Sequence, residues 1–130
     1  MTSTYNDRYQ QVFGAQPSLR PYGDPVSYYA NDERGAASAF VKQYGTHLEH
    51  LARTNLLACL SVLAKVSYCV QAADDAGEIT DWSVASELSC GYLTIDSTLR
   101  SLLLMFDSES IDEAEAFCSA LTNQILSRPR

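Results

Sequence analysis

Few side chains in this chain have the type and spacing that chemistry requires. His47 and His50 bracket Glu49, and on a helix a spacing of three brings both imidazoles within reach of one metal ion. A zinc centre needs a third and a fourth donor, and neither HExxH nor CxxC is there to supply them. Glu49 has two further roles open to it, closing a capping box with Thr46 and pairing with Arg53 four residues on. The cluster is therefore read as structural. His47 and His50 stand as the metal candidates, and no metal or cofactor is expected.

The turn Asp74-Asp75-Ala76-Gly77-Glu78-Ile79-Thr80 shares its glycine and the isoleucine two residues later with the middle of a calcium-binding loop. With Gly77 at loop position six, Ala72, Ala76 and Ser83 fall where carboxylate or amide ligands belong, so calcium binding is rejected. Cys59, Cys69, Cys90 and Cys118 have no paired spacing and no base within predictable reach. They read as small apolar fillers in helices, which fits a reducing compartment. No nucleophile elbow GxSxG and no phosphate loop of the GxGxxG or GxxxxGK[ST] type occurs.

Charge is the feature that rises above composition. Residues 1–73 carry five acids and six bases, residues 74–115 carry eleven acids and Arg100 alone, and residues 116–130 add Arg128 and Arg130. Asp74, Asp75, Glu78 and Asp81 crowd one turn; Asp107, Glu109, Asp112, Glu113 and Glu115 crowd another. Acids at helix N-termini are ordinary dipole complements, but clustered in this way they also suit a protein partner with a basic surface. Direct nucleic-acid binding is not expected, because a chain of net charge −7 repels phosphate backbones.

The elements that position these residues read as helices. A first helix is expected over residues 3–13, with Ser3 as cap and Gly14 as stop. Pro17, Pro21 and Pro25 with Gly14 and Gly23 prohibit regular structure over 14–31, yet Tyr22, Tyr28 and Tyr29 argue for an arm docked on the body. Ala36, Phe40, Val41 and Tyr44 form the apolar face of a helix from about Asp32 that Gly45 ends or kinks. The capping box Thr46-His47-Leu48-Glu49 predicts a long helix from there to about Ala73, apolar nearly all round between Leu56 and Val70. That stretch is interrupted by Ser61, Lys65 and Ser67 and falls short of the roughly 20 apolar residues of a bilayer span.

Thr80 and Asp81 are expected to start the next helix. In it Val84, Leu88, Tyr92, Ile95, Leu99, Leu102 and Phe106 recur every three or four residues, with Ser83, Ser86, Cys90, Thr94, Ser97 and Ser101 on the other face. One unbroken helix to Phe106 would hold the two acidic turns somewhat under 40 Å apart. A second capping box, Ser110-Ile111-Asp112-Glu113, opens the last helix, with Ile111, Ala114, Cys118, Leu121 and Ile125 on one face.

The expectation is an all-α, single-domain antiparallel bundle of four to five helices over 32–130, with an irregular Tyr/Pro-rich N-terminal helix and arm over 1–31. The N-terminus has neither a basic n-region nor an apolar h-region, so a cytoplasmic protein without a membrane anchor is expected. The preferred function is a small acidic binding or regulatory protein, such as an inhibitor, antitoxin, immunity protein or chaperone, that occupies a protein partner. Two rivals are a small-molecule or metal-dependent bundle enzyme with His47, Glu49 and His50 near its mouth, and an acidic mimic of nucleic acid that inhibits a DNA-handling protein. Because the long apolar helix has limited cover within one chain, a homodimer is the expected assembly to test.

Overall fold

The computed structural model describes residues 23–128. Five α-helices build it: α1 Gly35–Tyr44, α2 Arg53–Asp75, α3 Val84–Leu88, α4 Ser97–Leu104 and α5 Ile111–Ser127, with 3-10 turns at Val26–Tyr28 and Met105–Ser108. No strand occurs among the described residues, and the fold is an all-α helical bundle. The helix expected over 3–13, and Tyr22, lie outside them.

The spine is α2 against α5. One face of α2 buries Leu56, Cys59, Val62, Leu63 and Val66, and α5 answers with Ala114, Phe117, Ala120, Leu121 and Ile125. Ala64 and Tyr68 share a groove with Glu115 and Cys118, while Arg128 reaches back to Leu51, so the two helices run antiparallel. Helix α1 and the Met105–Ser108 turn close the core with an aromatic cluster. Phe117 lies 4.8 Å from Phe40 and 5.1 Å from Phe106, centroid to centroid, in tilted geometry.

The described part of the N-terminal arm is docked. Val26 is fully buried and its N–H donates to the Thr46 carbonyl at 2.8 Å. Asp24 N–H donates to Asn123 Oδ1 at 2.7 Å, and Gln124 Nε2 donates to the Asp24 carbonyl at 2.6 Å. The approach requires glycine at 23, where a Cβ would lie 1.9 Å from Asn123 Oδ1.

Several expected element boundaries are corrected. No helix starts at Thr46: α2 begins at Arg53 with Ala52 as its cap residue. Gly45, at φ 100°, ends α1, and Leu48, at φ 51°, holds a left-handed backbone that a right-handed helix from Thr46 would not contain; Leu48 and Leu51 are both buried. Glu49 closes no capping box; its Oε1 accepts from the His47 N–H at 2.9 Å. Helix α1 likewise starts three residues later than expected, because Glu109 accepts from the Ala36 N–H and caps it there.

The long helix expected from Asp81 to Phe106 is two helices. Gly91, at φ 76°, breaks it, and Asp96 restarts it by accepting from the Leu99 N–H at 2.8 Å. The first piece opens at Val84 and not at Asp81, with Ser83 and Ser86 forming a reciprocal capping box. Finally, Ser110 is the cap residue of α5 as expected, but its side chain makes no cap hydrogen bond.

Candidate functional site

The break at Gly91 folds the segment that follows the first acidic turn against the second. Asp107 Oδ1 accepts from the Val84 N–H at 2.8 Å, and Oδ2 accepts from the Ala85 N–H at 3.1 Å. An unbroken helix would separate these residues by about 35 Å. The expected helical separation is overturned: residues within 82–84, which follow the first turn, and within 106–111 line one cleft of about 330 Å³ against α2, although no acid of the first turn lines it. Its floor is apolar, from Leu63, Val66 and Val70 of α2 with Phe106, Ile111 and Ala114. Trp82 stands at the mouth, 37% exposed.

Behind Trp82 lies a polar cluster that the sequence patterns do not reveal. Glu87 is only 3% exposed, yet both carboxylate oxygens are engaged. Oε2 accepts from Trp82 Nε1 at 2.8 Å and Oε1 from the Tyr92 hydroxyl at 2.7 Å. Burial alone would raise the Glu87 pKa; the two hydrogen bonds and the charge of Lys65 outweigh it and hold the carboxyl below its ordinary range. Glu87 is therefore an ionised acceptor that fixes the Trp82 ring, not a proton donor at neutral pH. Tyr92 is held protonated in turn, chiefly by its bond to Glu87.

A carboxyl depressed on folding stabilises the protein above its unfolded pKa of about 4.3 and loses that contribution as pH falls through the lower folded value. Glu87→Gln is expected to lower the urea midpoint at about pH 7 and to converge with the parent near pH 3. A midpoint difference that stayed constant across that range would show that the charge of Glu87 is not what matters.

The other expected site residues are dispersed by role. Asp107 and Glu109 line the cleft but serve as helix caps. Glu109 and Glu113 also line a neighbouring hollow with Arg34 and Asn31. Asp74, Asp75, Glu78, Asp81, Asp112 and Glu115 are exposed, and Asp75 accepts from Gln71 Nε2 at 2.8 Å. Of these, Asp81 and Asp112 adjoin the cleft through Trp82 and Ile111, Glu115 adjoins the α2/α5 groove, and Asp74, Asp75 and Glu78 line neither.

His47 and His50 lie on the turn before α2 and not in its first helical turn, so the spacing that would point both at one ion does not apply. His47 Nδ1 lies 3.2 Å from Thr46 Oγ1, and no three His, Cys, Asp or Glu side chains among the described residues are grouped to hold a metal. The cysteines are free. Burial pushes the Cys59 thiol up to about 12 and the Cys118 thiol to about 11, so neither is a thiolate nucleophile at neutral pH. Cys90, expected as a filler, is exposed on the turn before Gly91.

The face of α2 opposite its buried one is a second exposed surface, with Tyr92 against its edge at Ser61 and the α5 groove beside Ala64 and Tyr68. It presents Leu57, 43% exposed, and Tyr68, 67% exposed, with Ser61 and Ala64 between them. By length and composition α2 also meets the requirement for a membrane span, contrary to the expectation from its interrupted apolar stretch: it has 23 residues and a mean hydropathy of 1.6 over its best 18-residue window. Only 28% of that window is buried. No protein family, no curated protein and no solved structure matches the chain.

Proposed function

We propose that this chain is a small binding and regulatory protein that acts by occupying a protein partner with a basic surface, and that the cleft beside Trp82 receives it. The observation that carries the reading is one cleft with an apolar floor, Trp82 at its mouth and Asp107 and Glu109 of the second acidic turn in its lining. An apolar side chain of the partner enters between Leu63, Val66 and Ile111 and packs on the Trp82 ring. Lysines or arginines around it meet Asp81 and Asp112 at the rim. Glu87 prepares the site by holding the indole in one orientation, which lowers the ordering cost on binding.

A buried aromatic anchor carries about 2 kcal/mol or more of an interface, and rim charges govern its salt dependence. Capture from native lysate is expected to yield one stoichiometric protein released by a salt gradient. Trp82→Ala should weaken its binding about 30-fold or more. Asp81→Asn with Asp112→Asn should shift its elution to lower salt. A partner held equally by all variants would place the binding surface elsewhere and sink the cleft assignment.

A further inference from the structure

We propose that two copies of the chain pair through the outer face of α2, antiparallel about a two-fold axis that crosses the helix midway between Ser61 and Ala64. The inference does not rest on the partner-binding cleft, which lies on the other side of α2.

The outer face is self-complementary. Leu57, Ser61, Ala64 and Tyr68 follow one another at spacings of four, three and four, a pattern that reads the same in both directions. A two-fold interface brings residue i against j and j against i. About this midpoint, Leu57 of one copy meets Tyr68 of the other, and Ser61 meets Ala64. The two small residues lie at the axis, where the backbones must approach most closely. The large ones lie about 8 Å to either side. No charged residue interrupts the stripe, in a chain of net charge −7, and depletion of charge marks the centre of an interface.

The charges of α2 run against its own dipole. Its first turn holds Arg53 and no acid; its last turn holds Asp74 and Asp75 and no base. Each end is the wrong sign for an isolated helix. Antiparallel pairing corrects both, since Arg53 then lies opposite position 72, within one turn of Asp75 of the second copy. The groove beside Tyr68 adds a matching acid, because Gln71 and Glu115 both line it where the second copy's Arg53 arrives.

The available area suffices. Helix α2 is about 34 Å long, and a strip about two helix diameters wide covers about 700 Å² per copy, close to the roughly 800 Å² of a standard interface. A bilayer is the rival occupant of an apolar helix face. Lys65, exposed near the middle of α2, would cost about 3 kcal/mol there and sits comfortably at the edge of a protein interface.

The test is the solution mass of the full chain by sedimentation, up to about 0.1 mM, with vesicle flotation alongside. The expected result is twice the 14.3 kDa chain mass. Ala64→Glu, which places two like charges at the axis, should return it to one chain mass with unchanged circular dichroism. Arg53→Glu should weaken the dimer at least tenfold, and adding Asp75→Lys should restore it. A monomer at every concentration, a dimer indifferent to Ala64→Glu, or a monomer that floats with vesicles would each overturn the proposal. Weakening by Arg53→Glu without restoration would overturn the antiparallel register.

Discussion

Phe117→Ala is expected to destabilise the protein by about 3–5 kcal/mol, the range for deleting a buried aromatic ring. Phe117 is fully buried and is the member of the aromatic cluster nearest both others; the remaining pair, Phe40 and Phe106, is 6.0 Å apart. The ring is shared by three elements: α1 through Phe40, the Met105–Ser108 turn through Phe106, and α5 itself. Truncation therefore opens a cavity that no single rotamer can fill, and aromatic pairing worth about 0.5–1.5 kcal/mol per pair disappears with it. For a domain of this size the loss corresponds to about 10–20 °C in Tm. Phe117→Leu, which keeps most of the volume, should cost about 1.5 kcal/mol. Urea unfolding of the two variants checks both values. A cost below about 1 kcal/mol for the alanine variant would mean that the three rings do not form one packed unit.

The consequence extends to the cleft, because Phe106 is both a wall of it and a neighbour of Phe117. Asp107 follows Phe106 directly and caps α3. A variant that loosens Phe106 should also release that cap and the Trp82 segment beyond it, so binding at the cleft and core stability are linked through two adjacent residues.

How much of this was legible in the sequence depends on the range of the determining contact. The apolar spacing of Leu56, Cys59, Val62, Leu63 and Val66 is local, and the core face of α2 follows from it. Gly45 as a stop and Ser110 as a cap position are equally local. The break within residues 81–106 is the larger departure from sequence pattern, although Val84, Leu88, Leu99 and Phe106 are buried as the periodicity predicts. Spacing alone cannot register that Gly91 takes a left-handed conformation, and crowding does not mark the site either, since a Cβ there would meet nothing within 4 Å. The break is selected because Asp107 must return to cap α3 and Phe106 must reach Phe117, contacts more than ten residues apart in sequence.

The candidate site was half legible for the same reason. Acidic clustering is visible in composition, but the cleft exists only because the chain doubles back. Trp82, Glu87 and Tyr92 are spaced by five, which matches neither a helical face nor a strand, so no periodicity links them before the fold is known. The capping box at Thr46 had the right residues in a stretch where Leu48 and Leu51 are drawn inward and the Thr46 carbonyl is taken by Val26. Tertiary burial there overrides a cap worth about 1 kcal/mol.

That turn is also where the second large effect is expected. Arg128→Ala should cost about 2–3 kcal/mol, although the residue follows the last turn of α5 and nothing in the sequence singles it out. Its guanidinium donates to the carbonyls of Leu48 at 2.6 Å and His47 at 3.1 Å through one nitrogen, and to the Leu51 carbonyl through the other. These carbonyls converge because Leu48 holds a left-handed backbone, which for a side chain of its kind costs about 1–2 kcal/mol. Arg128 offsets that strain with charge-assisted bonds and ties the start of α2 to the end of α5. Lysine at 128 should recover less than half of the loss, since a single ammonium cannot span the same three acceptors. Hydrogen exchange separates this role from a general loss of stability. In Arg128→Ala the amides of His50 and Val26, which bond to Tyr44 and Thr46 across this turn, should exchange faster, out of proportion to those at the centre of α2. Uniform acceleration of all amides would mean that Arg128 acts through the whole bundle and that the turn is held by the burial of Leu48 and Leu51 alone.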